Sequence, residues 1–371
     1  MKFTVSRTEL FSTLQKVIGV VPSRSTLQIL TNVLFYTENG RIQLMGTDLE
    51  LTLISSATAD IHEEGGVAVP AKILNDVLKE LPEEELQISV DENHRVSILS
   101  SNGHYKISGE SQKEFPNPPI IDSSNEIRVP NKVIRRMIDK TMFATSVDEL
   151  RPALTGVLFR LNPNNIQMVA TDGHRLSNIV NNSITFPSGE AQLILPTKAL
   201  AALMKNLHDD DYHTIMFNAS HVLFNLSDVL IYSRVIVEDY PDFGRAIPQN
   251  NTKEVFVNTT EIVSSVKRIS LFANTITNQI RLSLRENLAV ISAEDMDVGG
   301  EAKEEDACNY TDEPMDIGYN ATYLLDILRH IDTEEVKIAL DSPITGALVY
   351  PSEQREDEEF LMLIMPVRLN S

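Results

Sequence analysis

Three residues whose side chains could move a proton or attack a carbonyl fall in one stretch: Asp172, His174 and Ser177 of Ala170-Thr171-Asp172-Gly173-His174-Arg175-Leu176-Ser177. A carboxylate orienting an imidazole, and an imidazole taking the proton of a hydroxyl, would make a hydrolase. The spacing argues against it. The stretch follows a strand-like run, Ile166 to Ala170, and Asp-Gly is a tight-turn pair, because glycine accepts positive φ and aspartate bonds its own backbone. Beyond such a turn side chains alternate across the strand, so Asp172 and His174 can share a face that Ser177 does not. No Gly-Xaa-Ser-Xaa-Gly elbow, phosphate loop or His-Glu-Xaa-Xaa-His pair occurs. The eight histidines are dispersed, and Cys308, the single cysteine, cannot build a thiolate zinc site. The expectation is no catalysis, no metal and no cofactor. His62, His94, His104, His208 and His213 have polar neighbours and are expected on the surface.

The second chemically capable set is cationic, and it lies on elements that recur. Phe3-Thr4-Val5-Ser6, Ile127-Arg128-Val129-Pro130 and Val255-Phe256-Val257-Asn258 are short strands, each running into a helical pattern. Apolar residues at 10, 11, 14, 17 and 18, at Val133, Ile134 and Met137, and at Ile262, Val263 and Val266 give each helix one buried stripe. A second strand-into-helix follows in every copy, from Val67-Ala68-Val69-Pro70, Leu193-Ile194-Leu195-Pro196 and Ile317-Gly318-Tyr319-Asn320. Its stripe is Leu74, Val77, Leu78 and Leu81, then Leu200, Leu203, Met204 and Leu207, then Leu324, Ile327, Leu328 and Ile331. Alternating segments between the helices read as antiparallel strands. Phe115-Pro116, Tyr240-Pro241 and Met365-Pro366 close the copies. The fold class is therefore α+β, three tandem copies of a two-helix, antiparallel-sheet domain, expected over 1–120, 125–248 and 253–371. The polar, proline-rich stretches Asn117 to Ser124 and Pro248 to Lys253 read as linkers, and Ser352 to Glu359 as an acidic solvated insertion in the third copy.

Lys16, Lys140 and Arg268 occupy one position of the first helix in the three copies; Lys79, Lys205 and Arg329 occupy one position of the second. On a helical wheel Lys16 lies about 200° from its stripe and Lys79 about 165°, so all six are expected to point away from the core. The chain carries a net charge of −21, yet the six helical segments hold thirteen Lys and Arg against six Asp and Glu, which leaves −28 elsewhere. Such segregation fits a common face that attracts phosphate without reading sequence, while the acidic remainder repels nucleic acid. A repeat-built scaffold with no nucleic-acid partner is the alternative if that face is accidental. At 371 residues and 42% apolar content the chain supports two to three cores. One cysteine, no apolar h-region at the start and no run near 20 apolar residues lead to the expectation of a cytoplasmic protein with no membrane contact.

The whole chain resembles the β sliding clamps of bacterial DNA polymerase III. The resemblance rests on Met1-Lys2-Phe3-Thr4-Val5, Gly46-Thr47-Asp48-Leu49-Glu50, Ala170 to Leu176, Tyr240-Pro241-Asp242-Phe243 and Met365-Pro366-Val367-Arg368-Leu369, in the family's order. It implies a head-to-tail homodimer closing a six-domain ring around duplex DNA, with twelve helices lining the hole, and a non-catalytic processivity factor. It further implies a groove, completed by the C-terminal tail, that takes short linear peptides from the replicative polymerase, the clamp loader and repair proteins. Its lining would be Leu154, Thr171, Gly173, His174, Arg175, Leu176, Pro241 and Arg245, with Asn320, Tyr323, Met365, Pro366 and Arg368 opposite. Leucine, proline and methionine suit apolar anchors, and arginine suits polar ends. Facing DNA would be Arg24, which matches a family contact, with Lys16, Lys72, Lys79, Lys140, Lys198, Lys205, Arg268 and Arg329. Asp148 stands where a relative has a glutamine contact. The subunit interface would pair the edge strand at Tyr105-Lys106-Ile107 with the run Gly299 to Asp306, bringing Tyr105 and Ile107 to Leu271 and Phe272; packing within one subunit is the other reading of those four. Val367, where many clamps have methionine, Ala246, in place of a larger apolar residue, and the extra Asn370-Ser371 bear on the groove's depth and partner preference.

Overall fold

The computed structural model describes residues 1–121, 125–295 and 299–369. The end of the first expected linker, Asp122 to Ser124, and the terminal Asn370 and Ser371 lie outside the described residues. Among the described residues six helices recur in pairs: α1 (Arg7–Val17), α2 (Ala71–Glu80), α3 (Asn131–Thr141), α4 (Thr197–Asn206), α5 (Thr259–Ile269) and α6 (Ala321–Arg329). Each starts directly where a strand ends, and at five of the six junctions the closing residue explains why; Ser6, before α1, makes no side-chain cap bond. Proline closes Gly66–Pro70, Glu126–Pro130 and Ala191–Pro196, and its fixed φ suits a helix entrance. Asparagine closes the other two well-defined entrances: the Asn258 side chain accepts from the Glu261 N–H at 3.1 Å, and Asn320 accepts from Thr322 and Tyr323 at 2.9 and 3.2 Å.

The chain divides into two compact units, residues 1–135 with 198–235, and residues 136–197 with 236–371. The first holds a five-stranded antiparallel sheet in the order Asp60–Glu63, Lys2–Ser6, Glu85–Val90, Arg95–Leu99, His104–Ser108. It also holds a nine-stranded sheet in which Leu51–Ala57 pairs with Val229–Arg234, from Ser55 opposite Val229 to Leu51 opposite Ser233. The second unit is built on one twelve-stranded sheet. At its middle Arg175–Asn181 pairs along its whole length with Glu358–Ile364, Arg175 opposite Ile364 and Asn181 opposite Glu358. Strands widely separated in sequence thus fuse the sheets, so that the middle repeat is shared between the two units.

Most residues of the expected stripes form the cores, while Phe11, Ile18, Val77, Val133, Met204 and Val263 are half-buried. Leu10, Leu14 and Val17 of α1, Leu74 and Leu78 of α2, Leu200 and Leu203 of α4, Ile262, Val266 and Ile269 of α5, and Leu324, Ile327 and Leu328 of α6 are all buried. Each such side chain contributes about 1.5–3 kcal/mol relative to exposure. The third-copy insertion is only partly solvated. Glu358 is buried because Arg136 of α3 grips both its oxygens at 2.6 Å and reaches Asp332 at 2.7 Å.

His213 departs from the surface position expected of it. The alternation of Tyr212–Phe217 turns His213, Ile215 and Phe217 inward, and the imidazole is 1% exposed. Its Nδ1 lies 2.7 Å from Asn131 Oδ1 at the start of α3, while Nε2 is buried without a partner among the described residues. Burial pushes its pKa down to about 4. Because the folded pKa lies below the unfolded one, this stability is complete above pH ~6.5 and is lost as pH falls towards 4; the full difference is about 3 kcal/mol. Urea unfolding at pH 7 and pH 4.5 is expected to show the wild-type chain losing most of that amount. His213→Gln, already weaker at pH 7, should lose markedly less between the two pH values.

Candidate functional site

The turn that joins Asn165–Thr171 to Arg175–Asn181 is built by its own side chains. Asp172 Oδ1 accepts from the His174 and Arg175 amides at 2.8 and 2.9 Å, Thr171 donates to the Arg175 carbonyl at 2.7 Å, and Gly173 takes φ 91°. The first copy carries the same construction. Asp48 Oδ1 accepts from the Glu50 and Leu51 amides at 3.0 and 2.8 Å, Thr47 donates to the Leu51 carbonyl at 3.1 Å, and Leu49 takes φ 77°. Asp172 is therefore occupied with the turn, His174 projects outward, and Ser177 is buried with its hydroxyl donating to the Lys140 carbonyl. The three residues that could have formed a triad do not meet.

Arg175 is the centre of the site. Its guanidinium, 8% exposed, donates to Asp172 at 3.2 Å, to Asp326 of α6 at 2.5 Å and to the Phe143 carbonyl at 2.8 Å. Its carbon lies over the Tyr323 ring at 4.8 Å and the Phe143 ring at 5.4 Å. Tyr323 in turn stacks on the His174 ring, centroids 5.8 Å apart, and the Asn320 cap orients the helix turn that carries it. The chain end completes the arrangement. The Met365 amide donates to the His174 carbonyl at 2.8 Å, the Val367 amide to the Gly318 carbonyl at 2.9 Å, and Gln279 to the Arg368 carbonyl at 3.2 Å.

On the opposite face of the strand from Arg175, Leu176 joins Leu158, Val169, Ile194, Phe243, Ala339, Leu348 and Leu363 in one buried cluster. Pro241 and Arg245, on either side of Phe243, are exposed, and Leu154 is buried in the short turn Pro152–Thr155. Exposed His174, Pro241, Arg245 and Met365 thus lie close in the fold to a buried apolar cluster.

Comparison with known proteins gives this surface its context. Successive parts of the chain match three family models: the DNA polymerase III beta subunit N-terminal domain over residues 1–119, its central domain over 128–242 and its C-terminal domain over 244–368. The chain belongs to the DNA polymerase III beta subunit family. It is 30% identical to the beta sliding clamp of Synechococcus elongatus and 31% identical to that of Pseudomonas aeruginosa, covering all of each chain. Among solved structures it is similar to the Pseudomonas aeruginosa sliding clamp bound to griselimycin, TM-score 0.94 at 31% identity, and to the Bacillus subtilis sliding clamp, TM-score 0.94 at 27% identity. Both cover the full length of this chain and of theirs.

The clamp expectations need correction at three positions. Lys140 does not point into solvent: it is 5% exposed, its ammonium donates to the His330 carbonyl at 2.6 Å and lies over the Phe360 ring, and burial lowers its pKa. A helical wheel registers only the repeat's own core, and this face of α3 is covered by residues of the third copy. Ile107 is likewise unavailable to a partner; it is 4% exposed, because alternation along His104–Ser108 turns it into its own sheet's core. Arg175, expected to meet a peptide's polar end, spends its donors inside the protein.

The remaining helix cations differ in how they are engaged. Lys16 pairs with Asp228 and Lys198 with Asp48, Arg268 forms a fork with Glu304 at 2.8 and 2.5 Å, and Arg329 lies 3.9 Å from Asp326. Arg24, Lys72, Lys79 and Lys205 are exposed and make no ion pair among the described residues. Asp148 binds Arg151 at 2.9 Å. At the expected interface Leu271 is 80% exposed, Tyr105 and Phe272 are partly so, and a Cβ on Gly300 would stand 3.5 Å from Phe272. Asp326, Phe143 and Phe243 were not foreseen. Asp326 lies three residues beyond Tyr323 on α6, a spacing that places both on one helix face and is readable once Tyr323 is singled out.

Removing a buried arginine strands its partners, and a lysine cannot reproduce its planar fork. Urea unfolding of Arg175→Ala is expected to show a loss of about 3 kcal/mol, with Arg175→Lys recovering only part of it.

Proposed function

We propose that this chain is a DNA polymerase processivity clamp, a homodimeric ring that slides on duplex DNA and tethers its partners through the recess around His174, Tyr323 and Met365. One observation carries the reading: three DNA polymerase III beta subunit domains follow one another along the chain. The chain is then a non-catalytic accessory subunit, acting where DNA is copied, in the cytoplasm. No helix among the described residues is long and apolar enough to cross a membrane.

The division into domains at 1–120, 125–248 and 253–371 follows the repeats. The groove is lined by Leu154, Thr171, Gly173, His174, Leu176, Pro241 and Arg245 with Asn320, Tyr323, Met365, Pro366 and Arg368, Arg175 acting from beneath. Two strand edges support the dimer. His104–Ser108 ends its sheet, and Gly300–Asn309 pairs with Lys253–Asn258 only at Cys308 and Asn309, leaving most of one side open. Open edges call for cover, and a second copy supplies it, with Tyr105 meeting Leu271 and Phe272.

DNA binding falls to the exposed cations without an acidic partner. Replacing Lys72, Lys79 and Lys205 together by glutamate is expected to shorten retention on nicked circular DNA. The log–log salt dependence should flatten by about 0.9 for each phosphate that the variant no longer neutralises. Unchanged retention and polymerase processivity would remove this face from the DNA. For the groove, deletion of Met365 to Ser371 is expected to abolish binding of a fluorescein-labelled peptide cut from the clamp-binding segment of a bacterial replicative polymerase, read by anisotropy, with the dimer mass preserved.

A further inference from the structure

The strand Met315–Asn320 stands at the end of the twelve-stranded sheet, paired on one side with Gln279–Arg285, Gly318 opposite Arg281. Its other side meets the chain end in a single bridge, Gly318 to Val367. Gly318 does not take a positive φ, so its backbone would admit any residue. Space is what forbids one. A Cβ built there would stand 2.5 Å from the Val367 carbonyl oxygen, 3.0 Å from Leu369 Cδ2 and 3.2 Å from Leu369 Cγ. The nearest of these is backbone and cannot swing away as a side chain would. Leu369 fills the volume where a side chain would lie, and two residues further along the strand Asn320 caps the helix bearing Tyr323.

We propose that Gly318 is a positioning residue for the peptide groove: the missing side chain lets the segment Met365–Leu369 lie against the sheet edge and hold Met365 beside His174. This rests on the groove reading above. Any side chain at 318 pushes Val367 outward and breaks its 2.9 Å hydrogen bond to the Gly318 carbonyl. The displacement passes two residues back along the chain to Met365, whose amide is held by the His174 carbonyl. The groove then loses a wall while every residue facing the peptide keeps its identity.

Three measurements on the full-length dimer test this. Gly318→Ala is expected to weaken the labelled polymerase peptide at least tenfold and to speed hydrogen exchange at the Val367 amide by a similar factor or more. A chain truncated after Met365 supplies the control. Full-length Gly318→Ala is expected to melt below wild type, whereas in the truncated background Gly318→Ala and Gly318 should melt together, because the clashing atoms are gone. Equal melting penalties in both backgrounds would make Gly318 an ordinary strand residue and overturn the proposal, as would wild-type exchange at Val367. Should truncation alone leave peptide affinity unchanged, the groove reading fails. The exchange and melting comparisons then still decide whether Gly318 seats the chain end.

Discussion

A guanidinium removed from water must find acceptors for its nitrogens, and Arg175 meets that demand at all three of them by drawing three separate segments together. Its partners are the turn aspartate three residues before it, an acid on α6 and the carbonyl that follows α3. Fixing the guanidinium fixes Tyr323 above it, and Tyr323 fixes the His174 ring. The chain end is then added to an edge already rigid. The cost of burying a charge is offset here by acceptors at all three guanidinium nitrogens and by the two flanking aromatic rings, which together hold the side chains around His174 in place.

The electrostatics follow a similar logic at larger scale. Several cations that the helix pattern singles out are answered by acids of the same chain, and the exposed, unanswered ones on the helices are lysines. A lysine ammonium is strongly hydrated and makes no fixed fork with phosphate. Attraction that is diffuse and readily exchanged suits a protein that must stay near DNA while moving along it, and the surplus of carboxylates elsewhere discourages binding at any other face.

Much of this is legible in the sequence because it is local. The Asp-Gly turn, the apolar stripes and the strand-to-helix junctions depend on residues within a few positions of one another, whereas the motif at 170–176 reads by itself only as a turn and gains a site role through the family resemblance. What is not legible depends on distant chain. Lys16 finds Asp228 across 212 residues, and Lys140 is covered by a helix end 190 residues downstream and by a strand further on. His213 and Ile107 are different cases. Period-two alternation along their strands turns both inward, whereas polar neighbours suggest the outside for His213 and the family resemblance suggests a subunit interface for Ile107. The tail's close approach to Gly318 has no local signal at all, since a glycine required for room looks the same as one required for φ.

The duplicated turn shows how the copies have come to differ. In the middle copy the left-handed position is a glycine, and a Cβ there would stand 3.3 Å from Arg151 Nη1. In the first copy a leucine holds the same strained conformation with its side chain about half exposed. A scaffold copied in tandem thus keeps its hydrogen-bonding plan with two different residues at its left-handed position. The first turn bears the strain of a leucine there, and the second is relieved of it by glycine.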